Sequence, residues 1–522
     1  MGKYKYLANN IALFTISNFV SKILVFLLVP FYTNVLTTAE YGTSDVMQTT
    51  LLLLVPALTI NMGEAALRFG IERAEERPLI FRIGIKYIGK AQCVVLVLGL
   101  LAGWSSALLP FHLTWELIVF FILLFCTDSL YEYMILFLQG CEAVRFVVIG
   151  SVFSTIVLIC SNLLFLLAFR LGLPGYFISQ ILSYGLSFLL MIFLAGRKGR
   201  AADPEKTEAG RALEKEMLDY GKPMILYSTG AWINNAADRY FVSLLCGVAV
   251  NGIYGVAYKI PSILTVFQRI FAQAWQMSAT KSLTEDEEQT REIPGEKNEA
   301  EPVPEGQEST RPEMAKKQGK SQTGLKSPEF YSRMYGAYLA FMVLGCGFLI
   351  LIVRPLSIFL FRKDFFEAWR YVPPLLVSVV FGALTGFLGS ICLAYKDSKA
   401  MGLATGIGAA VNVVLNALLI PKYQAMGAAI ATAVSYFVMY GMAFFFVRWH
   451  VQIKTSPVKD VAAFLLLGAE AIAMTGGEGS SWSYLVCGAA TLILFILNYR
   501  FIRDSVGLLG RLMKGLSSRN LT

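Results

Sequence analysis

Residues 233–247, INNAADRYFVSLLCG, set two full charges, Asp238 and Arg239, beside Asn234 and Asn235 in a run otherwise apolar enough to cross a membrane. A charged side chain near a bilayer centre costs about 2.5–3.5 kcal/mol on insertion scales, so it is retained where something compensates. The compensation expected here is a water-filled cavity between two halves of the protein, where charge stays hydrated and meets a polar substrate.

The rest of the chain fits that setting. Of its 522 residues 56% are hydrophobic and only 16% charged, and the mean hydropathy is +0.58. Such a chain is too apolar for a soluble globule and reads as an all-α polytopic membrane protein. Windows of about 20 apolar residues place about fourteen transmembrane helices. Their spans are 9–36, 44–69, 83–103, 115–138, 146–169, 174–196, 220–247, 250–275, 331–360, 370–393, 400–420, 424–447, 458–474 and 482–501. The first run carries Lys22 and lacks a small-residue cleavage site, so it is expected to stay as helix one and not to be a cleaved signal peptide.

The net charge of +9 invites a nucleic-acid reading, but the basic residues cluster in alternate connections, among them Arg73, Arg77, Arg82, Arg197, Lys198, Arg200, Arg503 and Arg511. By the positive-inside rule these connections are cytoplasmic, and an even helix count puts both termini there. No nucleic-acid partner is expected. The eight cysteines show no CxxC spacing and read as small core residues. With only His112 and His450, each near a membrane edge, neither a histidine metal site nor a Ser-His-Asp triad is expected in the membrane, and no cofactor. The stretch 276–328, rich in Glu, Lys, Gln and Pro, reads as a disordered cytoplasmic insert.

An internal repeat organises the spans. Arg145, Asn162 and then GYFISQILSY (175–184) are matched by Lys399, Asn416 and GAAIATAVSY (427–436), with equal basic-to-Asn and Gly-to-Ser-Tyr spacings. Weaker support comes from Lys22 followed by Tyr41-Gly42 and Arg239 followed by Tyr254-Gly255. Two pseudo-symmetric six-helix lobes follow, plus two C-terminal helices. The expected units are 1–200, 216–450, 456–502 and a tail at 503–522. Repeat-built transporters commonly place substrate between the halves and rock one against the other.

Candidate substrate ligands come from the first two helices of each half: Asn18 and Lys22, Arg68, then Asn234, Asn235, Asp238 and Arg239, then Lys259 and Arg269. Five cations among them suit an anion, above all a diphosphate, which Arg grips in bidentate fashion. Bland readings stand beside these: Asp238 linking to another helix, Glu64 pairing with Arg68 at i, i+4, and one of Lys259 and Arg269 being structural because ten positions separate them. Asp128 and Glu132, one turn apart, are candidates for a coupling proton or cation, with pairing to Arg145 as the structural alternative.

NNIALFTISNFVSKILVFLLVPFYTNVL (9–36), LQGCEAVRF (138–146) and NNAADRYFVSLLCGVAVNGIYGVAYKI (234–260) resemble bacterial polysaccharide-biosynthesis flippases of the Wzx type, within the multidrug/oligosaccharidyl-lipid/polysaccharide exporter superfamily. The resemblance covers nearly the whole chain apart from the insert. It implies two facing six-helix lobes and transfer of an undecaprenyl-diphosphate-linked sugar between leaflets, with Lys22 and Arg239 as the positions that fit the family's cationic cavity. Polysaccharide-assembly enzymes are the implied protein partners. Other readings are a cation-coupled multidrug exporter and a flippase of the peptidoglycan lipid precursor. A membrane enzyme is disfavoured because the outer loops are too short for a catalytic loop.

Overall fold

The computed structural model describes residues 26–104, 114–195, 208–269, 328–395 and 397–519. Asn18, Lys22 and all of the 276–328 insert but Pro328 lie outside them. The described elements are α1 (Val29–Val35), α2 (Thr38–Leu58), α3 (Met62–Glu72), α4 (Arg77–Trp104), α5 (Trp115–Gly140), α6 (Val144–Asn162), α7 (Leu173–Ala195), α8 (Glu208–Cys246) and α9 (Val248–Ala257). Then come α10 (Pro328–Leu351), α11 (Val353–Leu360), α12 (Val372–Ala394), α13 (Ser398–Val447), α14 (Pro457–Gly476) and α15 (Ser481–Arg519). No strand occurs among the described residues. As far as the described residues reach, each expected span from the second to the fourteenth overlaps helix; residues 270–275 of the eighth lie outside them. Eight described helices are long and apolar enough to cross a membrane, nine if one bent pair counts as a single span.

That bent pair corrects the expectation of one continuous helix at 44–69. α2 and α3 meet at 53°. α2 starts on a capping box, with Thr37 Oγ1 accepting from the Glu40 amide and Glu40 accepting from the Thr37 amide. It ends by a Schellman pattern: the Asn61 amide donates to Pro56 O at 2.9 Å and the Ile60 amide to Ala57 O at 3.4 Å. Ile60 and Asn61 both take left-handed φ, 54° and 49°. A β-branched residue in that region is an outlier, held here by its surroundings. Proline and hydrophobicity alone did not reveal the break.

The two halves echo each other in three dimensions. α6 continues through a π-helical turn, Leu163–Ala168, and a Cβ on Gly175 would sit 3.1 Å from Phe165 O. α13 folds back at Gln424 (φ 49°, ψ −136°) after Pro421, and a Cβ on Gly427 would sit 2.5 Å from Leu419 O. Phe165 and Leu419 each lie three positions after the matched asparagines, Asn162 and Asn416, both fully buried. Each glycine therefore lets its chain fold back tightly on the preceding helix. The cysteines divide: Cys346, Cys392 and Cys487 are buried, whereas Cys93 and Cys160 are exposed, which corrects the reading of all eight as core.

Helices of the two halves meet closely at one end. At the α2/α9 crossing a Cβ on Gly42 would lie 1.9 Å from Val248 O, and one on Gly252 1.9 Å from Thr38 O. Nearby, Thr33 Oγ1 donates to Leu360 O at 3.1 Å, Lys363 Nζ to Asn34 O at 2.7 Å, and Tyr41 meets Phe365 edge-on at 5.6 Å. At the opposite end the first turns of α8 rest on the first half. Leu213 and Met217 share a core cluster with Met62, Ile80 and Ile83, and Glu214 accepts from Lys86 Nζ at 3.1 Å and Tyr87 Oη at 2.7 Å. α8 thus belongs to both halves.

Two predictions follow from these contacts. Gly42→Ala has no room at the α2/α9 crossing, so the halves should separate there, read as a longer spin-label distance across that end; an unchanged distance would refute a tight closure. Burial raises the Glu214 carboxyl, but hydrogen bonds from Tyr87 and Lys86 and the lysine charges outweigh it and hold the group below its ordinary value of 4.5. A depressed folded value contributes stability above the unfolded value and loses it as pH falls through the folded one. Glu214→Gln should therefore melt below wild type near neutrality and converge with it below about pH 4; a gap that persists in acid would point to packing instead.

Candidate functional site

α8 crosses the middle of the molecule and carries the opening stretch. Its one-turn spacing puts Asn234 and Asp238 on one face and Asn235 and Arg239 on the next. Asp238 is 2% exposed and is enclosed by hydroxyls. Tyr254 Oη donates to it at 2.6 Å, Tyr258 Oη at 2.5 Å and Thr432 Oγ1 at 3.3 Å, and the Arg239 amide donates at 2.9 Å. Four donors satisfy a buried carboxylate without a cation in contact. Asp238 therefore ties α8 to α9, Tyr258 and α13, the linking role that was the bland reading, and it is not on the cavity wall. Asn234 also ties α8 to α13, its Nδ2 donating to Thr405 O at 3.2 Å, but unlike Asp238 it borders the cavity beside Arg239.

Arg239 turns the other way, across to the first half. Its Nη1 donates to Asp45 Oδ1 at 2.8 Å and Thr49 Oγ1 at 3.3 Å, and its guanidinium lies 4.8 Å over the Tyr258 ring. Asn251 Nδ2 reaches the other Asp45 oxygen at 3.3 Å. The side chains of Arg239 and Asp45 are 17% and 11% exposed, so the pair is mostly desolvated, and removing one partner leaves a charge at a cost of about 3–5 kcal/mol.

Beside this pair lies a cavity of about 880 Å³. Asp45, Asn235, Arg239, Lys259, Arg269 and Tyr436 are on its wall, with Ser378 of α12 and Thr432 of α13. Lys259 and Arg269 extend from residues 259–269, which continue helically after Tyr258. Both are on the wall of this space despite their ten-position separation, because the cavity runs along the helix. Asn235 is oriented by its own bond to Ala231 O at 2.7 Å and by the Tyr436 hydroxyl.

A second cavity, about 330 Å³, lies between α8 and helices α2 to α5. Asn61, Glu64, Glu132, Ser228, Trp232 and Asn235 are on its wall. Asn235 is thus common to both spaces. Arg68 is on neither wall. It pairs with Glu72 at 3.1 Å, half-exposed, and covers the Tyr220 ring at 4.7 Å, in place of the expected Glu64–Arg68 pair. Arg145 is exposed at the start of α6, away from the expected pairing with the acids of α5. Glu132 faces the smaller cavity, while Asp128 is half-buried on the same helix, whose Tyr131 stacks on Tyr184 at 5.2 Å.

The structure therefore brings Asn234, Asn235, Arg239, Lys259 and Arg269 to one cavity wall and leaves Arg68 and Asp238 off it; Asn18 and Lys22 lie outside the described residues. Sequence reasoning missed Asp45 as Arg239's partner, the Tyr254/Tyr258 pair, Trp232 and Asn61. Two tyrosines at i, i+4 beside an intramembrane acid were the available signal for the Asp238 enclosure. Asn61 gave none, because its position depends on the break in span two.

Comparison with known proteins places this geometry. In fold, the chain is similar to the solved structure titled lipid II flippase MurJ, inward closed conformation, with TM-score 0.64 at 15% identity over 95% of this chain and 100% of that one. A multidrug resistance MATE family transporter of the MOP superfamily matches in its inward-facing conformation with TM-score 0.60 at 13% identity, over 82% of this chain and 94% of that one. Among curated proteins, the uncharacterized membrane protein YabM of Bacillus subtilis (strain 168) is 29% identical over 150 residues, 28% of this chain and 27% of its own length. The family model described as polysaccharide biosynthesis protein matches residues 7–276. With its two-lobed helical fold and that match over half its length, the chain belongs to the polysaccharide biosynthesis protein family.

Proposed function

We propose that the protein is a flippase that moves a polyprenyl-diphosphate-linked oligosaccharide across the bacterial cytoplasmic membrane by alternating access. The observation that carries this reading is the grouping of Arg239, Lys259 and Arg269 on one cavity wall, where among the described residues the one carboxylate, Asp45, is already held by Arg239. A diphosphate is an anion of the size and charge such a wall stabilises, while the polyprenyl chain stays in lipid. Lys22, expected to match Arg239 in the first half, would add a further cation. Family membership and the likeness to a structure titled as a lipid II flippase support the same class. A peptidoglycan-precursor flippase shares the diphosphate chemistry. A cationic-drug exporter fits less well, since its cargo would face three like charges.

The lobes are proposed to divide at 1–200 and 216–450, with 456–502 as added helices and 503–522 as a tail; the docking of α8 on the first half makes the division a shared helix more than a boundary. Both termini are proposed to face the cytoplasm, supported by the basic connections. Asp128 and Glu132 remain candidates for the coupling ion, and the insert for contact with assembly enzymes. Transport without covalent chemistry is the mechanism proposed.

In vesicles loaded with a diphosphate-linked lipid saccharide, Lys259→Ala with Arg269→Ala should lower transfer to the far leaflet by about tenfold or more, as expected when charge-assisted hydrogen bonds are lost, with normal membrane insertion. Undiminished transfer would remove this wall from the site. Arg239→Ala should also lower transfer and, unlike the double variant, lower the melting temperature, because Asp45 is stranded.

A further inference from the structure

We infer that the smaller cavity is a carbohydrate subsite that takes neutral or amino sugars next to the phosphates and rejects acidic ones. This rests on the flippase reading and adds the class of sugar to it. The first observation is the wall itself. Trp232 offers an indole, while Glu64, Glu132, Asn61 and Ser228 offer carboxylates, an amide and a hydroxyl. An aromatic plate takes the C–H face of a pyranose, and planar carboxylate and amide groups fork onto neighbouring hydroxyls. At about 330 Å³ the space falls at the lower end of small-molecule sites.

The second observation is an unmet donor. Asn61 is 5% exposed, its Oδ1 accepts from Ser228 Oγ at 3.3 Å, and its Nδ2 is buried with no partner. It stands at the N-cap of α3 with left-handed φ, and its side chain makes no capping bond. Buried amide donors are ordinarily paired, and Asn61 is on the wall of this cavity, so a ligand hydroxyl or carbonyl that reaches the Nδ2 would supply the missing partner.

Trp232 is likewise pre-set. Its Nε1 donates to Thr49 O at 2.8 Å and Tyr240 meets it edge-on at 5.5 Å, which fixes the ring plane before any ligand arrives. The location completes the case. Asn235 lies on both walls, so a saccharide extending from phosphates beside Arg239 passes directly to Trp232. Glu64 and Glu132 on that wall repel the phosphates and any uronate, and so orient the head group as well as selecting it.

The test uses the full chain in nanodiscs and three probes: farnesyl diphosphate, the same lipid diphosphate bearing N-acetylglucosamine, and one bearing glucuronic acid. The hexosamine lipid should bind about tenfold tighter than the bare one, and the glucuronate lipid no tighter. Trp232→Ala and Asn61→Ala should erase the hexosamine gain and leave farnesyl diphosphate affinity unchanged, with Trp232→Phe and Ser228→Ala as milder variants should either fail to fold. Glu64→Gln combined with Glu132→Gln should admit the glucuronate lipid. Equal wild-type affinity for bare and hexosamine lipids, a gain that survives these substitutions, or a preference for glucuronate would overturn the subsite while the diphosphate reading stands. Failure of farnesyl diphosphate itself to bind would overturn both.

Discussion

The arrangement depends on satisfying the charges of α8 away from water. A helix that carries Asp238 and Arg239 side by side cannot pair them with each other, because adjacent side chains diverge. The two charges are therefore met from different directions, Asp238 by hydroxyls within the second half and Arg239 by Asp45 of the first. One helix is thereby fastened to both halves within one turn. The cost of stranding either charge in low dielectric makes that fastening specific, whatever its net contribution to stability.

If the proposed site takes an anion, this double attachment supplies a way to couple its binding to movement. Asp45 sits one turn beyond Gly42, at the crossing where α2 and α9 approach backbone to backbone. An anion arriving among Arg239, Lys259 and Arg269 competes with Asp45 for the same guanidinium. Ligand binding and the contact between halves then share one group, which is the minimum that alternating access requires: differential interaction with two arrangements. The docking of α8's first turns onto α3 and α4 gives the opposite end its own contact.

Charge also sorts the two spaces on either side of α8. One wall gathers cations and the other carboxylates, an amide and an indole, with Asn235 between. A cargo that is anionic at one end and hydroxyl-rich at the other fits such a division without any element having to move. The small cavity owes its shape to an irregular backbone, tolerated because it faces a cavity and not lipid.

The sequence by itself determined the class, the repeat and most of the described spans, because hydrophobic length and residue spacing are local quantities that the bilayer and the helix read directly. It also pointed to Arg239, Lys259 and Arg269, since cations in apolar runs need a reason. Only the tertiary structure decided which charges face a cavity and which are consumed as ties. Asp238 and Arg239 are neighbours in sequence with equal apparent merit, yet one is enclosed by Tyr254 and Tyr258 and the other borders open space. The break at Ile60 and Asn61 was equally hidden, because left-handed φ at these residues is imposed by packing and not by propensity. Which partner a buried polar group finds depends on helices far apart in the chain, and no local pattern encodes that meeting.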